Sequence, residues 1–210
     1  MTAQETHTDF FATELMMAGD VTFEERRPYL LESARQYLDH HRNYCHEIHN
    51  AGASGREVVA CVTAIADELI LSLYQCAAAD FPTAGKVCSA VIALGGYGRA
   101  EMNPLSDIDI MFYCSDQNKD LAEKIAERVL YLLWDLSLDV GYSVRTASDC
   151  LTLAQQDITI RTAMMDTRFL AGDEVLYHEF ESQVLKNLLS RNSQNFLKAK
   201  YDEHAARLAK

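Results

Sequence analysis

The side chains with the plainest capacity for chemistry are two aspartates in the run Ser106-Asp107-Ile108-Asp109-Ile110-Met111-Phe112. The run alternates, and a strand sends alternate side chains to opposite faces. Ile108, Ile110 and Phe112 then face a core, while Asp107 and Asp109 share the other face with Cα atoms roughly 7 Å apart. Carboxylates held side by side repel, so the pair costs stability unless a cation sits between them. Mg²⁺ is the natural occupant, with Mn²⁺ as the alternative, because hard cations take carboxylate oxygens and share them with substrate phosphates. The competing reading makes Asp107 a turn cap and Asp109 a solvated strand residue.

A short apolar run, Val91 to Leu94, precedes the acids and stops at Gly95-Gly96. It reads as a buried strand ended by a tight turn. Main-chain N–H groups in such a turn are pre-oriented toward an anion, so Gly95, Gly96 and the residues after them are candidates to hold a triphosphate. Otherwise the pair merely ends the strand. Arg99, between the turn and the acids, and Arg145, further along, are candidates for phosphate or base contacts, because a guanidinium forks onto phosphate oxygens. Ser106, directly before the acid pair, joins them as a nucleotide-binding candidate.

A glycine turn followed by Asp-x-Asp on the next strand resembles the DNA polymerase β-like nucleotidyltransferases. Three blocks sharpen the likeness: GGYGRAEMNPLSDIDI, LLWDLSLDVGYSVRT and DITIRTAMMDTRFLAGD. Together they are similar to the N-terminal catalytic domain of bacterial PII uridylyltransferases, the bifunctional uridylyltransferase/uridylyl-removing enzymes of nitrogen control. The resemblance runs from about Arg56 to the C-terminus. It implies that Asp107 and Asp109 hold Mg²⁺ ions, and that UTP is the nucleoside triphosphate. UMP would pass to a tyrosine of the PII signal protein in the cytoplasm, with release of pyrophosphate. It also implies a third carboxylate from a neighbouring strand, as metal ligand or as base for the acceptor hydroxyl. Asp139 is the candidate, although many relatives carry that acid nearer the middle of the strand, where this chain has Gly141. The other reading of Asp139 is a residue of the helix-to-strand junction.

Arg161 and Arg168 fall in the third block and either face the nucleotide or brace Asp157, Asp166 or Asp173. Two further functions stay open. One is adenylyl or other nucleotidyl transfer to a different acceptor; the other is a non-catalytic nucleotide-sensing module. Removal of the transferred group is not expected, because the chain holds no His-Asp dipeptide, the pair that names the family's hydrolytic domain. Direct regulation by glutamine is not expected either, since the family's sensing domains have no counterpart in these residues.

The elements needed to position these residues make an α/β (α+β) fold: a small mixed sheet of the polymerase β-like type, with an N-terminal helical hairpin and C-terminal helices. Residues 1–20 are polar and aperiodic and read as a flexible tail, in which Phe10, Phe11, Leu15 and Met16 are placed to form a short docking turn. Residues 21–80 form a helical region, with one helix from Phe23 to His49 and a second from Arg56 to Ala78. The loop between them offers Ser54 as an N-cap. Residues 81–170 form the nucleotidyltransferase core. It contains the two strands above, a turn at Ser115–Asn118, a helix from Lys119 to Leu136 and a third strand from Leu138 to Thr146. On that strand Asp139, Gly141, Ser143 and Arg145 share a face. From Ser148 the chain reads as helical, broken only at Ala171-Gly172-Asp173. Residues 171–210 supply the last helices, Glu174–Leu189 and Ser193–Leu208.

Composition removes other classes of partner. A net charge of −12 over 210 residues supplies no broad basic surface for a nucleic-acid backbone. No stretch approaches about 18 uninterrupted apolar residues, so no membrane span is expected. Six cysteines, widely spaced and without a Cys-x-x-Cys pair, read as small buried hydrophobes of a reduced, cytosolic protein. They do not read as a disulfide framework or a zinc site. His40, His41, His46 and His49 cluster on the first helix and read as part of its solvated face.

Overall fold

The computed structural model describes residues 21–81, 89–190 and 193–208. The expected tail at 1–20 and the connection at 82–88, which includes Cys88, lie outside these residues. Two long helices come first, α1 (Phe23–Asn50) and α2 (Gly55–Ala78). Each begins with a capping box. The Thr22 and Ser54 hydroxyls accept from the backbone N–H of Glu25 and Glu57, and each glutamate reaches back to the cap's own N–H. These hydrogen bonds favour the ionised carboxylates and hold both glutamates below the usual carboxylate range. Near the start of α1 and the end of α2, Asp80 accepts from the buried Arg26, from Arg128 at 3.1 Å and from the Phe23 N–H at 3.0 Å. Arg128 belongs to α4 (Lys119–Asp135) and lies over the Phe23 and Phe81 rings at 4.5 and 4.4 Å. One carboxylate thus pins three helices together.

A disulfide joins Cys45 of α1 to Cys61 of α2, which corrects the expectation of thiols throughout. The reason is tertiary. Cys45 lies five residues before the end of α1 and Cys61 six residues after the start of α2, so an antiparallel hairpin brings them level. Cys76, Cys114 and Cys150 are buried thiols, as expected; burial pushes the Cys150 thiol up to about 12.

The sheet has four strands: β1 (Ala90–Leu94), β2 (Ile108–Tyr113), β3 (Val140–Arg145) and β4 (Thr167–Gly172), in the order β3-β2-β1-β4. β1 is antiparallel to β2 and β4, and β2 is parallel to β3, with α4 as the crossover. The fourth strand overturns the helical reading of the stretch up to Ala171. The segment TRFLAG shows no two-residue alternation and is only partly buried. It is extended because β1 offers it a free edge, so pairing decides over local pattern. Its end is fixed by Gly172, whose φ is +94° and where a Cβ would lie 2.2 Å from the Ser89 carbonyl oxygen.

Helices cover both faces. Val91, Ala93, Ile108, Ile110 and Phe112 pack with residues of α1, α2 and α4. Ala90, Ile92, Leu94, Met111 and Tyr113 pack beneath the later helices. These are α5 (Ala147–Gln156), α6 (Ile158–Ala163), α7 (Glu174–Phe180) and α8 (Lys186–Ser190), the last two joined by a π turn over Glu181–Leu185. A final helix, α9 (Ser193–Leu208), has no buried residue among those described. Among the described residues no helix is long and apolar enough to cross a membrane.

Candidate active site

The alternation along β2 comes out as expected: Ile108 and Ile110 are buried and Asp109 between them is exposed. Asp109, Met111 and Tyr113 point to one face. The later helices cover Met111 and Tyr113 but stop short of the acid pair, which is left as the open end of that face. Partial burial, and after it the charge of Asp107, hold the Asp109 carboxyl above the ordinary range. The repulsion inferred from spacing is therefore present, and among the described residues no cation is paired with Asp109 to offset it, which is the condition for a divalent ion to be welcome. The carboxylate set fits Mg²⁺ or Mn²⁺ by its chemistry.

Asp109 pairs across the sheet with Gly141. A Cβ built on Gly141 would lie 2.2 Å from the Asp109 Oδ1. Glycine at the middle of β3 therefore leaves the space that the Asp109 carboxylate occupies, and a third acid at that position would collide with it. Two residues earlier in the parallel register, Asp139 comes level with Asp107, and its carbonyl accepts from the Ile108 N–H at 2.9 Å. Asp139 is exposed. Among the described residues no three acidic, histidine or cysteine side chains are gathered closely enough to hold an ion. The fold brings two carboxylates together and sets Asp139 at the rim.

Antiparallel register puts Ala93 opposite Ile110, so the end of β1 comes level with Asp109 and the glycine turn begins beside the acids. That turn is a single helical turn, α3 (Gly95–Gly98). Its glycines serve different ends. Gly95 takes φ +58° and its N–H donates to the Asp166 carbonyl at 2.9 Å, so this donor is spent inside the protein. Gly98 lets two backbones touch: a Cβ there would stand 2.1 Å from the Asp166 carbonyl oxygen. At Gly96 a Cβ would make only ordinary contact, 3.8 Å from the Arg99 Nη2 and from the Glu101 carbonyl oxygen. Gly98→Ala should thus destabilise the fold by about 1–3 kcal/mol through forced backbone displacement. Urea unfolding measures this, and an unchanged midpoint would contradict the close approach.

The expected arginines divide. Arg99 is braced by two carboxylates, Glu101 at 2.9 Å and Asp166 at 2.6 Å. Arg145 is half-buried with its guanidinium 3.8 Å from the Met164 sulfur. Arg168 forks onto Asp67 of α2 at 2.7 and 3.0 Å and also donates to the Tyr97 carbonyl at 3.2 Å. Arg161 donates to the Leu188 carbonyl and lies over the Phe196 ring. Neither Arg161 nor Arg168 pairs with the acids proposed for it. Asp157 and Asp173 instead cap α6 and α7, and Asp166 holds Arg99. The Asp67–Arg168–Tyr97 link, which ties α2, β4 and the glycine turn, carried no local signal. Its members are 30 and 71 residues apart. Ser106 is exposed in the loop before Asp107, its N–H donating to the Asn103 carbonyl at 3.0 Å. That loop is anchored by Met102, whose N–H donates to the buried Thr63 hydroxyl at 3.2 Å.

A small mixed sheet whose second strand opens on a carboxylate pair, level with a glycine turn, defines a nucleotidyltransferase of the polymerase β-like kind. Sequence comparison agrees. Residues 40–144 match the family described as Putative nucleotidyltransferase DUF294, and the chain belongs to that family. It is similar to proteins named bifunctional uridylyltransferase/uridylyl-removing enzyme. It is 33% identical to that of Azospirillum brasilense over 195 residues, 90% of this chain and 21% of the relative. With that of Phenylobacterium zucineum it is 35% identical over 204 residues, 95% of this chain and 21% of the relative. With that of Cereibacter sphaeroides it is 47% identical over 118 residues, 56% of this chain and 13% of the relative. The chain thus spans about a fifth of the length of the first two, and it is an enzyme of the nucleotidyltransferase class.

Proposed function

We propose that this domain transfers UMP from UTP to a tyrosine hydroxyl of a PII-type signal protein in the cytoplasm, with Mg²⁺ (or Mn²⁺) held by Asp107 and Asp109. The observation that carries the reading is the acid pair at the uncovered end of β2, beside an open glycine turn, in a chain similar to uridylyltransferases. The acceptor oxygen attacks the α-phosphorus, the bond to the β-phosphate oxygen breaks, and pyrophosphate leaves. Bound divalent ions would lower the pKa of the attacking hydroxyl and neutralise charge on the triphosphate. The protein's own contribution is position and charge. Asp107 and Asp109 fix where the cations sit, and Gly96 leaves room for phosphates to approach the main chain. Asp139 would accept the acceptor's proton, and Ser106 and Arg145 would border the nucleotide. Arg99, already held by two carboxylates, shapes the turn and would turn to phosphate only by releasing one of them.

Incubation of the chain with labelled UTP, Mg²⁺ and PII tests the proposal, with ATP, CTP and GTP in parallel. Label on PII from UTP alone is expected. Label from ATP instead would favour the adenylyl alternative, and nucleotide binding with no transfer to any acceptor would favour a sensing module. Gly96→Val should weaken nucleotide binding at least about tenfold by filling the space over the turn, while the fold is kept because the nearest atoms, Arg99 Nη2 and the Glu101 carbonyl oxygen, stand 3.8 Å from the added Cβ. Titration of the variant with UTP measures this, and unchanged affinity would remove the turn from the phosphate site.

A further inference from the structure

Between the helical hairpin and the loop before Asp107 lies a cavity of about 670 Å³, which reaches the proposed site only at its edge, at Ser106 and Asp139. Leu38, Val62, Ile65 and Leu69 of α1 and α2 form its back wall, and Met102, Pro104 and Leu105 of the loop before Asp107 form its front. An empty apolar cavity costs stability when its walls are free to close. Here both are fixed: Cys45 lines the cavity and its disulfide to Cys61 locks α1 to α2 within the back wall, and the Met102 N–H, donating to the Thr63 hydroxyl of α2, anchors the front loop. Leu105, on the front wall, is 98% exposed. Along one rim stand Arg42, His46 and His49, at positions i, i+4 and i+7 of α1 and therefore on one helical face. Among the described residues none of the three is ion-paired, in a chain whose net charge is −12. Ser106 and Asp139 lie on the rim as well; among the described residues lining the cavity Asp139, from the junction before β3, is the only carboxylate. An apolar pocket of this size with a few convergent polar groups is the usual form of a small-molecule site.

We infer that this cavity binds an amphipathic monocarboxylate of the medium-chain fatty-acid type. Its chain would lie among the leucines and valines. Its carboxylate would meet the Arg42 guanidinium in a charge-assisted hydrogen bond, with the imidazole N–H groups of His46 and His49 beside it. The Arg42 guanidinium and the imidazole N–H groups, grouped on the α1 side of the rim, select an anion over a cation of equal chain length.

The test is calorimetric titration of the chain with dodecanoate below its micelle concentration, without nucleotide or metal, so that the outcome is independent of any transfer activity. Saturable one-to-one binding is expected. The triple variant Arg42→Gln, His46→Gln, His49→Gln, altered only at exposed positions, should bind at least about tenfold more weakly. Dodecyltrimethylammonium should bind more weakly than dodecanoate by a similar factor. Val62→Phe, which fills the cavity, should abolish binding, with circular dichroism verifying its fold. Absence of saturable binding, equal binding of the cationic amphiphile, or undiminished affinity in the triple variant would each overturn the inference. So would sedimentation showing that a second copy or another apolar surface closes the cavity in solution.

Discussion

Asp109→Asn should abolish nucleotidyl transfer, by about 10³-fold or more, and leave the apo protein at least as stable as the parent. The rate effect follows from losing one of the two ligands proposed to place divalent charge at the reacting phosphate. That charge contributes several kcal/mol to the transition state, and each 1.36 kcal/mol is tenfold in rate. The stability effect follows from the sign of the titration. Partial burial and the Asp107 charge raise the Asp109 carboxyl above its ordinary value. A raised carboxyl holds its proton more tightly in the folded state, so its stabilising contribution is present below the unfolded value and is lost as pH rises through the folded one. At neutral pH the ionised group is therefore a burden on the apo fold, and the amide removes it. The same shift makes divalent-ion binding fail at higher pH on acidification than an ordinary carboxylate would, since proton and cation compete for the same oxygens. Transfer assays, thermal melts at pH 7 and a Mn²⁺ titration against pH measure the three consequences. Retained activity in the variant would remove Asp109 from the metal site, and a large drop in melting temperature would contradict the repulsion.

Gly141→Ala should reduce transfer by about 10²-fold, the usual cost of a displacement near 1 Å in a reacting geometry, while stability stays within about 0.5 kcal/mol. The added methyl meets the Asp109 Oδ1 and not backbone. The carboxylate swings away at little cost to the fold, but it swings away from the position where it would hold an ion. Alanine is also no worse than glycine in a strand. The combination of intact melting temperature, weakened Mg²⁺ dependence and low rate separates this variant from Gly98→Ala, where the added methyl meets a main-chain carbonyl and the fold itself must yield. Full activity in Gly141→Ala would mean that the Asp109 carboxylate need not lie over β3 for transfer.

The contrast between these two glycines shows where sequence and structure part. The sequence by itself determined the acid strand, the glycine turn and the long helices. Their patterns are local: alternation over Ser106–Phe112, helical spacing over α1, α2 and α4, and capping residues such as Ser54 at short fixed offsets. Observed bounds differ from those expected by a residue or two. Only the tertiary structure decided β4, because TRFLAG is a strand on account of the free edge of β1 and not of its own pattern. The Cys45–Cys61 bond likewise exists only because an antiparallel hairpin brings the two residues level. The partners of the arginines were also non-local. Arg168 found Asp67, 101 residues away, in place of the nearby acids, because α2 packs against β4. Gly141 read as the place where an acid was missing; parallel register makes it the place that Asp109 fills. Spacing along a chain fixes which residues share a face, but what stands opposite that face depends on strand register and helix docking, which are settled by the burial of the whole core.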